Sequence, residues 1–161
     1  MSEPRPARPS MPPGYGIASD ERGLLPWSWA EERLSASRNY WIVTADEAGR
    51  PHAMPVWGLW LDGSVWFSSD GDSRKARNIA NRREIVVHLE SGDEAVIVEG
   101  NAEEVSDREA LVPFARAYEV KYGFGFDLDH PIGLVYRVRP RVVLGWREKD
   151  FPSTATRWVF I

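Results

Sequence analysis

A chain of 161 residues, 43% hydrophobic and 27% charged, has enough material for one domain with a real core and the make-up of an ordinary globular protein. Its 24 acidic against 20 basic residues, a formal net charge of -4, lack the basic field expected of a nucleic-acid binder. The absence of cysteine removes disulfides, thiolate catalysis and thiolate metal sites; with no apolar run long enough for a bilayer and no signal-peptide core, the expected location is cytoplasmic, away from membranes.

Residues 1–26 hold Pro4, Pro6, Pro9, Pro12, Pro13, Gly14, Gly16 and Gly23 with few aliphatics, a composition that builds no packed core. A flexible arm is expected there, and a folded domain over 27–161. A helix is predicted over 28–38, with Ser28 as cap, acids in its first turn, Arg38 in its last, and Trp29 and Leu34 facing the core. The pattern then turns β-branched and aromatic. Strands are predicted over 40–45, 52–61 and 64–69, the first pair joined by a polar turn with Gly49 and the second by Asp62-Gly63, a strong hairpin signal. A short helix follows over 72–83, with Asp72 or Ser73 as cap and Ala76, Ile79 and Ala80 inward.

Two more strands, 84–90 and 95–105, flank a Ser91-Gly92-Asp93 turn, and Gly100 signals a bulge or bend. The longest helical pattern covers 106–122, with Ser106 as cap, Glu109 as its capping-box partner and a stripe of Leu111, Phe114, Ala115, Tyr118 and Tyr122; a kink or restart is expected at Pro113. After a Gly-Phe-Gly-Phe-Asp loop, strands are predicted over 133–139, 142–147 and 155–161. Six or seven antiparallel strands, with one helix after the third and one after the fifth, make a mainly β fold with short helices, a small closed or split barrel. Most of the eight tryptophans are expected in the core or at an interface.

His52, His88 and His130 are far apart and in no metal-binding spacing, so no metal is expected, and His88 reads as a satisfied core histidine. No Gly-x-Ser-x-Gly elbow occurs. Gly123-Phe124-Gly125 follows a helix and lacks the third glycine of a dinucleotide fingerprint.

Positive charge concentrates over 72–83. Arg74, Lys75 and Arg77 fall in the first turn of the predicted helix, where the dipole is itself positive and cations are unfavourable. Free N–H groups, a capping hydroxyl and basic side chains at one helix start suit a phosphate, the alternative being a solvated basic face. In the preceding strand Pro55 lacks an N–H and cannot sit in the middle of a continuous sheet. Gly58 admits close approach by a flat ligand, and Trp57 and Trp60 lie on opposite faces, one as stacking wall and one as core anchor. An edge strand with a bulge is the alternative for this segment. Joined to Ser68-Ser69 and the basic helix, the pattern describes a planar ring along the strand and an anionic tail at the helix start.

Three runs carry a family resemblance: Arg-Pro-His-Ala-Met-Pro-Val-Trp-Gly at 50–58, Asp-Gly-Ser-Val-Trp-Phe-Ser-Ser at 62–69 and Ser-Arg-Lys-Ala-Arg-Asn-Ile at 73–79. They resemble the flavin and deazaflavin oxidoreductases of the pyridoxamine-phosphate-oxidase-like split-barrel superfamily, most closely the branch that uses the deazaflavin coenzyme F420. The segment 155–160 is similar to that branch's closing strand, and the likeness covers about 27–161. It implies a six-stranded, FMN-binding-type split barrel working as a homodimer on a small-molecule substrate, with two cofactor sites along the subunit interface. By position, Ser68, Ser69, Ser73, Arg74, Lys75 and Asn78 would hold the phosphate, the backbone of Met54, Pro55, Val56 and Trp57 would line the ring, and Arg77 would reach the tail. The late strands of the second subunit, near Trp146, Arg157 and Trp158, would close the site. No acid or base of the family can be placed, so no catalytic residue is assigned, and nothing marks a pocket for pyridoxine phosphate.

The expectation is therefore an oxidoreductase moving hydride from reduced F420 to an electron-poor small molecule. The glutamate-bearing tail of that coenzyme is more negative than riboflavin phosphate, which suits Arg82 and Arg83 beyond the first turn. Two alternatives stand beside it: the same fold with FMN, and a non-catalytic carrier of a flavin, haem or related ligand.

Overall fold

The computed structural model describes residues 3–131 and 133–160. Met1 and Ser2 of the expected arm, Ile132, and Ile161 of the expected last strand lie outside the described residues. In chain order the elements are β1 (Pro6–Ala7), α1 (Trp27–Ala36), β2 (Asn39–Ala45), β3 (Pro51–Leu61), β4 (Ser64–Ser69), α2 (Arg74–Asn81), β5 (Glu84–His88), β6 (Glu94–Val105), α3 (Arg108–Tyr122), β7 (Leu134–Arg147), α4 (Phe151–Thr154) and β8 (Thr156–Val159).

Six strands close a ring in the order β7-β4-β3-β2-β5-β6 and back to β7, every neighbour antiparallel. This is the expected split barrel. The split lies on β7: Leu134 to Val138 pair with β4, whereas Val142 to Gly145 pair with β8, which in turn carries β1 outside the ring. The 133–139 and 142–147 strands of the sequence reading are thus one strand. Pro140, between them, faces Gly100 at a register shift, and the β-carbon of any other residue at 100 would collide with the Arg139 carbonyl. That bulge accommodates the proline without ending the strand.

Alternation sets the interior. Tyr40 and Ile42 of β2, Val87 of β5, Val96 and Val98 of β6 and Val138 and Val143 of β7 point inward, and Ala30 and Leu34 of α1 seal the core. β4 is buried on both faces, because Val65 and Phe67 join this core while Trp66 enters a second cluster with Leu59, Phe114 and Val135 under α3. The tryptophans divide accordingly: Trp27, Trp66 and Trp158 are buried, Trp29 and Trp60 pack against the core, and Trp57 is exposed.

Asp62 and Gly63 both take positive φ, 49° and 69°, the turn that matches the twist of a two-residue hairpin. Helix caps shift slightly from expectation. α1 starts after Pro26 with Ser28 inside it, and α3 is capped by Asp107, whose carboxylate accepts the Ala110 N–H at 3.0 Å, rather than by Ser106. Pro113 does not restart α3, which runs unbroken through it; the proline lies on an exposed face of the helix. α4, four residues long, has no counterpart in the sequence reading.

The segment expected as a mobile arm lies on the barrel. Arg8 explains why: its guanidinium donates to the carbonyls of Asp20 (2.8 Å), Arg22 (2.8 Å), Ser153 (2.7 Å) and Ala155 (3.1 Å), tying the segment to the turn before β8. No helix among the described residues is long and apolar enough to cross a membrane.

Candidate functional site

The site is built where β4 ends and α2 begins. Ser73 caps α2, its Oγ accepting the Ala76 N–H at 3.2 Å and lying 2.8 Å from Ser69 Oγ. Lys75 Nζ donates to the same Ser69 Oγ at 3.0 Å. Burial of the Lys75 amine, partly opposed by Asp70, holds its pKa below the usual lysine value. Asp70 shapes the approach: its carboxylate accepts the Asp72 N–H at 2.7 Å and its carbonyl the Ser73 N–H at 3.0 Å. Arg74 is exposed, and among the described residues neither it nor Lys75 has a carboxylate partner within ion-pair distance.

The other expected phosphate contacts divide. Ser68 is half-buried beside Ser69, but Asn78 is buried, with its amide donating to Thr44 Oγ1 of β2 at 2.9 Å. Asn78 takes the inward place expected of Ala80, which is exposed, because Thr44 offers it a partner and alanine has none to offer. Arg77 turns back to donate to the Asp72 carbonyl, at the start of its own helix. Arg82 and Arg83 are exposed beyond the last turn of α2.

The strand beside this helix is one-sided. β3 pairs with β2 from Pro51 to Trp57, but with β4 only from Gly58 to Leu61. Met54, Pro55, Val56 and Trp57 therefore lie on the stretch that no second strand flanks among the described residues, Pro55 opposite Trp41; Met54 and Trp57 are 46% and 38% exposed. Gly58 differs from expectation. Its N–H donates to Tyr122 Oη at 2.8 Å, Lys121 Nζ donates to its carbonyl at 3.0 Å, and a β-carbon there would crowd Trp66 and Tyr40. The close approach at Gly58 is made by this protein's own core and by α3.

Trp57 does form an aromatic wall. Its indole stacks on Tyr122 at 4.6 Å and 5°, and the Arg38 guanidinium lies 5.3 Å from the indole centroid. Lys121, beside this stack, is pushed down to about 8 by burial and by Arg38. Trp60, on the opposite face, anchors in the core and donates to Glu31 at 3.1 Å.

The late-strand residues lie elsewhere on the chain. Arg157 sits on β8 between Leu144 and Ala7, and Trp146 packs edge-on against Phe151. Trp158 is wholly buried against Trp27, which leaves its indole no face for a ligand. His88 is not in the core; half-buried, it stacks on Trp41 and bonds the Leu89 carbonyl at 2.8 Å.

Sequence reasoning passed over His52. It lies on β3 opposite Thr44, on the barrel's inner face, where both burial and the charges of Arg74 and Lys75 lower its pKa. The period of two along β3 gives that face, but only the docking of α2 on β2 brings the cations to it.

The family described as pyridoxamine 5′-phosphate oxidase matches residues 29–145. No curated protein matches the chain. Among solved structures, a conserved hypothetical protein of Mycobacterium tuberculosis is 22% identical over 81% of this chain and 89% of its own, with a TM-score of 0.69. An F420 reductase is 20% identical over 70% of this chain and 94% of its own, with a TM-score of 0.56. A haem storage protein of Vibrio cholerae is 16% identical over 70% of this chain and 85% of its own, with a TM-score of 0.52. At these identities the likeness is one of fold.

Proposed function

The chain belongs to the pyridoxamine 5′-phosphate oxidase family, and from that premise we propose that it is a coenzyme F420-dependent oxidoreductase acting as a homodimer on an electron-poor small molecule. The observation that carries this reading is the pair Arg74 and Lys75, which make no ion pair among the described residues, at the positive pole of α2 in a chain whose acids outnumber its bases. A phosphodiester suits this place, since Ser69, Ser73 and Lys75 bring two hydroxyls and a cation together and exposed Arg74 adds a second cation to the same helix turn. Asn78 serves the same end by fixing α2 on β2.

The bound deazaflavin would supply the hydride chemistry. The protein's share is position and exclusion of water. The one-sided stretch from Met54 to Trp57 offers backbone groups and an apolar edge to a flat ring, and Arg82 and Arg83 offer cations to tail carboxylates. A second copy laid against the same stretch would cover it and bring Trp146 and Arg157 to the opening. No proton donor is assigned.

Fluorescence titration of the purified full chain tests this. Micromolar binding of F420, with FMN weaker, is the expected result. FMN binding in place of F420, or a yellow protein as isolated, transfers the site to FMN; a bound ligand with no turnover against a panel of acceptors makes the protein a carrier.

A further inference from the structure

His52 is an ionisable group on the inner face of β3 that no part of that reading uses. It faces inward on β3 opposite Thr44, and Thr44 in turn receives Asn78 of α2, so the imidazole lies across the ladder from the residue on which that helix docks. The charged groups acting on it are Arg74 and Lys75 of α2. Asp46 and Arg50, on the turn that joins β2 to its own strand, are paired with each other at 2.7 Å, and Thr44 across the ladder carries no charge. Its Nδ1 is buried and meets no hydrogen-bond partner among the described residues. A buried ring nitrogen with no such partner, in the field of two cations of which one, Lys75, is acted on by Asp70, is a group kept neutral until something anionic arrives.

We propose that His52 is a titrating member of the anion seat, taking up one proton at Nδ1 when a phosphoryl group fills the space at Arg74 and Lys75. The inference rests on the seat proposed above and deepens it. The empty seat repels a third positive charge. A bound anion cancels the field of the two cations and makes the imidazolium the favoured form. Filling the seat and protonating the ring are then coupled, and each strengthens the other. Cofactor affinity is highest below the midpoint of the free ring, falls as pH rises from that midpoint to the one in the complex, and is level above it. The full decline equals the distance between the free and bound midpoints, tenfold per unit.

The test follows the three histidine rings of the full-length protein by NMR from pH 5 to 8, in chloride alone, with sodium sulfate and with F420; His52→Gln assigns the signal. In chloride the His52 midpoint should lie below the usual histidine value. F420 should raise it by at least about one unit, and sulfate, a dianion that does not titrate in this range, should raise it in the same direction. His88 and His130 should not move. In a parallel titration the His52→Gln protein should lose the pH slope of F420 affinity and match the wild type at pH 8 within about twofold, a pattern that a merely structural role would not give. A midpoint unmoved by bound F420, or a slope that persists in His52→Gln, overturns the proposal. A shift with sulfate in a protein that does not bind F420 keeps the proposal and removes the deazaflavin reading, and no shift with either anion removes the coupling.

Discussion

Two groups of basic side chains on this barrel are handled in opposite ways. On the wall made by β6 and β7, Glu103 accepts from Arg137 and from Arg139, the latter at 3.1 Å, and Glu99 accepts from Arg141 at 2.9 Å. Each cation there meets an acid across the ladder. At the head of α2, Lys75 meets the Ser69 hydroxyl and Arg74 is exposed. The wall does what cross-strand pairs do, adding a few tenths of a kcal/mol and keeping the surface wet. The α2 cluster works against its own helix dipole, so its reason has to be sought outside the folded chain.

Removing each kind of charge tests that contrast. The largest effect should come from Arg74→Ala with Lys75→Ala: two charge-assisted contacts of about 1.5–3 kcal/mol each are lost, so cofactor affinity should fall well over tenfold in the fluorescence titration. The same protein should melt no lower than the wild type, since unfavourable charge leaves a helix N-terminus. Unchanged affinity would put the phosphate elsewhere. Next, Asn78→Ala removes a buried bond and leaves the Thr44 hydroxyl without its partner, which should lower stability by about 1–3 kcal/mol, read as a drop in Tm of about 2–4 °C per kcal/mol. If cofactor affinity weakens too, the position of α2 matters to the seat as well as to the fold. The smallest effect belongs to the wall. Arg139→Ala leaves Glu103 its bond to Arg137, so calorimetry should show a change of about 0.2–1 kcal/mol or less that shrinks with added salt, and cofactor affinity should stay where it was.

Much of the barrel can be read in the sequence because strand alternation and turn chemistry are local. Tyr40, Ile42 and Thr44 inward against Trp41 and Val43, and Asp62-Gly63 between two β-rich runs, need no knowledge of distant segments. Errors fell where two local signals competed or where the deciding partner is remote. The two strands 133–139 and 142–147 are one because Pro140 between them is accommodated by Gly100, forty residues earlier. Ser106 and Asp107 are both good caps, and the backbone chose the second. Arg8 gave no sign that it would gather carbonyls from its own segment and from residues 153 and 155. In the candidate site, the misplaced charge of α2 is visible in one dimension. The inward turn of Asn78 and the company kept by His52 are not, for both depend on α2 meeting β2 across 34 positions of sequence.

The long strand β7 is a mechanical part of the barrel. Its first half closes the ring against β4, its second half holds β8 and through it β1, and β6 runs along nearly all of it. A zipper with one slider cannot be opened at one end only. Peeling β7 away would release the ring and the outer strands together, so the bulge at Gly100 and Pro140 sits on the seam by which the whole barrel comes undone or holds.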